Sequence, residues 1–241
     1  ISLFEKLHCI SETTKKEVQR FLQVFFPERL KKLELHSFVL GNEITDEDAS
    51  KGKPKEAEKI RELMKKDKLF AMVGTIEPRK GHEELLKVFD VLWNAGHEVA
   101  IVFIGKRGWE VDNLVEEIKN HKMFGRHLFW LENCSDEFLL EVYSEASGLV
   151  VSSRAEGYSL PIAESQNFGM PVFARDIAVF REIGLTYGNI TFYTGDKPEG
   201  IARQFLKWKS NLAGKNRRKK RGSKTICWKK ATKDLQKIII D

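Results

Sequence analysis

An α/β fold with a parallel sheet covered on both faces is what this sequence predicts, and three observations predict it. Short apolar runs recur along the chain, each too short for a helix and bounded by turn residues. Segments with helical periodicity separate them. The middle of the chain alternates the two kinds without interruption, which implies right-handed crossovers between parallel strands. A chain of 241 residues holds one large domain or two small ones.

In order, Leu7-His8-Cys9-Ile10 reads as a short strand, and Ser11-Glu12-Thr13-Thr14 opens a helix with Thr14 and Glu17 spaced as a capping box. Leu22, Phe25 and Phe26 are expected on its inner side. Ser37 to Leu40 reads as a second strand. Residues 42–67 change character: a charged linker, then a solvated helix over Pro54 to Lys66. Asp46-Glu47-Asp48 forms a D-x-D, but no strand precedes it, and a metal role is disfavoured.

From residue 68 the rhythm is regular. Strands are expected at Leu69–Val73, Val99–Ile104, Leu128–Leu131, Leu149–Ser152, Pro171–Ala174 and Ile190–Tyr193. Helices are expected at Gly81–Ala95, Glu110–Asn120, from a Ser135 cap to Ala146, from Pro161 to a stop at Gly169, and near Val179–Ile183. Two further helices, Ile201–Leu212 and Trp228–Ile239, flank a basic loop.

Net charge is +6, and Lys215, Arg217, Arg218, Lys219, Lys220 and Arg221 account for all of it. One reading of Lys215–Arg221 is an anchor on an anionic membrane surface. The plainer reading, a solvated loop, is favoured. The three cysteines lie far apart with no C-x-x-C, which suits a reducing, cytoplasmic compartment and argues against a disulfide framework or zinc site. No apolar run approaches the ~20 residues that span a bilayer. Without an initiator methionine, the chain reads as an excised piece.

Two loops carry chemistry. After the apolar run at 148–151 comes Ser153-Arg154-Ala155-Glu156-Gly157-Tyr158-Ser159-Leu160-Pro161-Ile162-Ala163-Glu164, two glutamates with seven residues between them. A helix N-terminus at the carboxyl end of a parallel strand is a natural phosphate seat. Glu164, in the expected first turn, reaches the same mouth, where a carboxylate makes sense for gripping the hydroxyls of a ribose or sugar. After the strand at 69–73 comes Gly74-Thr75-Ile76-Glu77-Pro78-Arg79-Lys80-Gly81, with two cations ahead of the next helix, suited to a diphosphate. The bland alternative is two surface cations on a turn. No P-loop pattern occurs, which excludes a P-loop ATPase, and no G-x-G-x-x-G follows the first strand, which disfavours a nicotinamide dehydrogenase.

The run from about 68 to 194 resembles the donor-binding domain of retaining glycosyltransferase family 4, of GT-B architecture, in its mannosyltransferase-like branch. The residues that carry the resemblance are Val73 to Gly81, Ile104-Gly105, Ser135-Asp136-Glu137, Ser153, Glu156 to Pro161 with Glu164, and Gly169 to Val172. The resemblance implies a Rossmann-like sheet forming the C-terminal half of that architecture. Residues 1–41 would be a remnant of the acceptor-side domain, 42–67 a linker, 68–196 the nucleotide-sugar domain and 197–241 the C-terminal helices. It implies donor binding by Gly74, Thr75, Arg79, Lys80, Glu156, Gly157, Tyr158, Ser159, Leu160 and Glu164. Lys80 and Arg79 would take the diphosphate, Glu164 the ribose, and Glu156, the catalytic candidate, the transferred hexose. The loop near Cys134 would lie against the base.

No metal or separate cofactor is expected; the substrate would be GDP-mannose or a UDP-sugar and the acceptor a glycan or lipid-linked sugar, with no nucleic acid. Thr75 stands where many members have Arg, so one phosphate cation is missing, and Tyr158-Ser159 stands where many have Phe-Gly, which tunes the loop. The alternatives are a non-catalytic nucleotide-sugar-binding or scaffolding module and, less favoured by the glutamate pair, a sugar-nucleotide epimerase.

Overall fold

The computed structural model describes residues 4–44, 52–212 and 225–240. The D-x-D at 46–48 and the basic run Lys215–Arg221 lie outside the described residues.

The chain opens with β1 (Lys6–Cys9) and β2 (Glu34–Ser37), paired in parallel with Cys9 opposite Ser37. They are joined through α1 (Glu12–Phe25) and a one-turn α2 (Pro27–Leu30). The second strand lies earlier than expected because its pairing with residues 6–9 sets its limits; Phe38 only donates one further bond to the Cys9 carbonyl. The start of α1 also differs. Its cap is Ser11, whose hydroxyl accepts from the Thr14 amide at 3.0 Å, so the Thr14–Glu17 box is not used. Leu22 is buried, but Phe25 and Phe26 are 63% and 54% exposed, which overturns their assignment to an inner face. Two strands offer a helix only a narrow seam, and Leu22 fills it.

The segment expected to be a solvated helix is instead α3 (Ala57–Lys65), which buries Ala57, Ile60 and Met64 against the main sheet. Full burial of an Ile or Met side chain is worth about 1.5–3 kcal/mol, enough to dock a helix whose remaining residues, the half-buried Leu63 aside, are charged.

The main sheet contains β3 (Leu69–Val73), β4 (Ala100–Ile104), β5 (Leu128–Leu131), β6 (Gly148–Val151), β7 (Val172–Arg175) and β8 (Ile190–Tyr193). Every pairing is parallel and the order is β5-β4-β3-β6-β7-β8. Strands β3 to β6 are buried almost throughout, as expected where helices cover both faces. One face carries α4 (His82–Asn94), α5 (Asp112–Asn120) and α9 (Pro198–Leu212). The other carries α3, α6 (Asp136–Glu145), α7 (Leu160–Gln166) and α8 (Ala178–Tyr187). The last helix is α10 (Trp228–Ile240). Asn42 ties the early and late segments to α7, donating to the Ala163 carbonyl at 2.7 Å and accepting from the Ile226 amide at 2.7 Å.

The strand order reverses between β3 and β6. That is the switch point of a doubly wound sheet, where the loops leaving adjacent strands diverge to opposite faces and open a crevice. Both chemistry-bearing loops leave the sheet there.

Candidate functional site

The loop after β3 is built by continuing the sheet past its strand ends. The Gly74 amide donates to Ile104 O at 2.8 Å, Ile76 to Lys106 O at 2.9 Å and Gly108 to Ile76 O at 2.9 Å. A Cβ on Gly105, at φ 150°, would collide with the Gly74 carbonyl, so glycine is required for this approach. The chain then makes a 3-10 turn at Pro78–Lys80, which delivers Arg79 and Lys80 to the crevice. Gly81 ends the turn in the left-handed region at φ 77°, where a Cβ would lie 2.6 Å from the Ser152 carbonyl.

Across the switch point the second loop is knitted to the first. The Ser152 hydroxyl donates to Lys80 O at 3.0 Å or Gly81 O at 2.9 Å, and the Arg154 amide donates to Arg79 O at 2.8 Å. These contacts bring Glu156 onto both cations. Lys80 Nζ lies 2.5 Å from Oε1 and Arg79 Nη1 lies 2.7 Å from Oε2. Arg79 Nη2 also meets Glu77 at 2.7 Å. Glu156 and Lys80 side chains are only 8% and 16% exposed, whereas Arg79 is 45% exposed. Partial burial works against the Arg79 charge, but Glu156 and Glu77 outweigh it and hold the guanidinium above its ordinary pKa. With Glu156 buried, Lys80 is the partner that matters most: removing one member of a buried pair leaves the other charge uncompensated.

Glu164 has a different setting. It lies in the second turn of α7, not the first, because the helix begins at Leu160. Its carboxylate accepts from the Tyr143 hydroxyl of α6 at 2.9 Å. Burial raises its pKa above the ordinary value; the Tyr143 hydrogen bond opposes that and the Asp136 charge adds to it. Burial and the Glu164 charge likewise push the Tyr143 phenol up, so it remains a donor.

The remaining predicted residues divide. Thr75 is exposed on the first loop. The Tyr158 side chain turns into the core, which leaves its backbone toward the mouth, and Ser159 is the extended N-cap residue of α7. Leu160 opens that helix. Gly157 lies against α1, where a Cβ would come 3.1 Å from Ile10. Cys134 sits in the loop between β5 and α6, its thiol pushed up to about 12 by burial.

Sequence reasoning missed the support behind the loops. Glu84 on α4 is buried and accepts from Arg175, from Tyr193 Oη at 3.3 Å and from Arg154 at 3.4 Å. Arg175 also donates to the Ser152 carbonyl at 3.3 Å. A charged residue at the end of a buried strand, as Arg175 is, was the available signal. His82 on α4 is buried edge-on to Phe103, and burial lowers its pKa to about 3.

At the switch point of this parallel sheet, then, Arg79 and Lys80 of one loop meet Glu156 of the next. Residues 54–225 match the family described as Glycosyl transferases group 1, and the chain belongs to that family. It is 32% identical over 237 residues to the serotype-specific mannosyltransferase WbdA of Escherichia coli, covering 97% of this chain and 29% of that protein. The O-antigen chain mannosyltransferase B of Escherichia coli is 31% identical over 112 residues, covering 46% of this chain and 29% of that protein. The chain therefore spans under a third of these relatives. Among solved structures, sucrose-phosphate synthase from Thermosynechococcus elongatus has a TM-score of 0.70 at 16% identity, covering 99% of this chain and 58% of that one. The catalytic domain of starch synthase IV from Arabidopsis thaliana, bound to ADP and acarbose, gives 0.69 at 14%, covering 98% and 55%. These likenesses show the fold: a Rossmann-like part of the GT-B architecture. No helix among the described residues is long and apolar enough to cross a membrane.

Proposed function

We propose that this chain is the donor-binding part of a retaining hexosyltransferase that uses a nucleoside diphosphate sugar, with GDP-mannose the first candidate. One observation carries the reading: Arg79 and Lys80 from the β3 loop meet Glu156 from the β6 loop at the switch point, with Glu164 one helix turn further along. The mannosyltransferase relatives support mannose. That the chain spans under a third of them supports a separate acceptor-side domain, of which residues 1–41 would be the end.

In this role Arg79 and Lys80 bind the donor diphosphate and offset the negative charge that grows there as the leaving group departs, in place of a metal. Glu164 accepts from the ribose hydroxyls while Tyr143 holds its orientation. Glu156, released from the cations by the phosphates, faces the hexose and stabilises positive charge at the anomeric carbon. Attack and departure on the same sugar face preserve anomeric configuration. The acceptor is a glycan or lipid-linked sugar.

A thermal-shift panel of GDP-mannose, other GDP-sugars and UDP-sugars tests the reading. A ligand that binds only the folded chain raises Tm by mass action. A rise with GDP-mannose and none with UDP-sugars is expected; no rise with any member overturns donor binding. Transfer to a glycan acceptor after an upstream domain is joined separates the enzyme from a non-catalytic sugar-nucleotide module.

A further inference from the structure

Glu182 lies on α8, outside both loops, and has no part in the roles assigned above. Its carboxylate accepts from the Glu12 amide at 2.9 Å, the Thr13 amide at 2.8 Å and the Thr13 hydroxyl at 2.6 Å. Those amides belong to the first turn of α1 and have no carbonyl partner within their own helix. Ser11 caps only the Thr14 amide. Glu182 supplies the rest from 170 residues away in sequence, and a carboxylate there also suits the positive end of the helix dipole.

These bonds dock α1 on α8, and there it also touches the loop that carries Glu156. Thr14 Oγ1 donates to the Gly157 carbonyl at 3.2 Å, and Ile10 covers the face of Gly157 where a side chain would stand. Gly157 follows Glu156 directly. The loop is thus held from three sides: by Ser152 and Arg154 on the β3 loop, by Tyr158 in the core, and by α1.

We infer that Glu182 is a positioning residue: by clasping the N-terminus of α1 it seats Ile10 and Thr14 on Gly157 and so fixes the loop that carries Glu156. The proposed function gives this seating its consequence, because the segment before α1 leads into the acceptor side. The placement of that side would then be read at the residue facing the sugar through two contacts, Glu182 with the α1 amides and Thr14 with Gly157.

Amide hydrogen exchange on the ligand-free 241-residue chain tests the proposal. Glu182→Ala should speed exchange at the hydrogen-bonded amides of residues 12, 13, 154 and 163 by about tenfold or more, because a local opening becomes easier without a change in global stability. Rates in β3 and β4 should stay at the wild-type value. Glu182→Gln retains one acceptor oxygen and should fall between. Thr14→Val breaks the second contact and the Ser11 hydroxyl's bond to Thr14 Oγ1 but not the Glu182 bonds, so it should speed 154 and 163 while leaving 12 and 13 protected. Wild-type rates at 154 and 163 in Thr14→Val overturn the proposal even if Glu182→Ala fails to fold. So does an acceleration in Glu182→Ala spread evenly over β3, β4 and the loop, which marks general destabilisation. No ligand is present, so the outcome is independent of whether a nucleotide sugar binds; the thermal-shift panel decides that separately.

Discussion

Glu156 and Glu164 stand seven intervening residues apart on one short stretch, yet the fold treats them in opposite ways. Glu156 is surrounded by charge, with Lys80 at 2.5 Å and Arg79 at 2.7 Å. Among the described residues Glu164 pairs with no cation and accepts from one neutral donor, the Tyr143 phenol at 2.9 Å, and burial pushes its pKa upward. The difference teaches what each is suited to hold. A carboxylate already neutralised by two cations can be displaced by another anion. One facing a buried hydroxyl, with spare lone pairs and no counter-charge, is suited to neutral hydroxyl groups.

The strongest test of the contrast is Glu156→Gln in a protein carrying both halves. Transfer should fall by roughly 10²–10³, the usual cost of removing one group that stabilises transition-state charge. Affinity of the same variant for GDP should rise, because the cations no longer have an internal competitor. A loss of GDP affinity measured by calorimetry would show that Glu156 does not occupy the phosphate position.

Next in size is Lys80→Ala, expected to weaken GDP binding by about 3 kcal/mol, the upper end for hydrogen bonds to charged groups. Equal binding by calorimetry would remove the diphosphate from this loop. Glu164→Ala should cost about 1.5–3 kcal/mol in GDP binding, and the cost should vanish with a 2′,3′-dideoxy nucleotide. A cost that persists with the dideoxy compound would place Glu164 away from the ribose.

The smallest effect concerns stability. Because the folded-state pKa of Glu164 is raised, the fold favours its neutral form, and the associated stability is present below the unfolded value of about 4.3 and is lost as pH rises through the folded value. Glu164→Gln should therefore raise Tm at pH 7, and the gain should disappear below about pH 4. A gain that is the same at both pH values would mean the carboxylate is not desolvated.

Much of this was legible in the residues. Runs such as Leu69–Val73 and Gly148–Val151 are short, apolar and bounded by turns, and a strand buried on both faces requires that pattern. Arg79, Lys80, Glu156 and Glu164 could be picked out because charge at the carboxyl end of such strands has no role in packing. Their pairing was not legible: Lys80 and Glu156 are 76 residues apart, and only the strand order, with β3 beside β6, makes them neighbours. Tyr143 lay hidden within a helix whose apolar residues account for it as core. The α3 helix was misread because Ala57, Ile60 and Met64 are embedded among lysines and glutamates. Phe25 and Phe26 were misread for the converse reason, since an aromatic side chain carries no label for the surface that covers it.

The self-neutralised mouth also bears on how the reaction ends. With Arg79 and Lys80 matched by Glu77 and Glu156, the empty crevice has little net field, so an incoming diphosphate is not steered from afar and its arrival rate should depend weakly on ionic strength. On the proposed function, Glu156 would swing back to its two cations once the hexose has gone. Each such return would help push the spent nucleotide out, so the contact between Glu156 and its cations would shorten product residence.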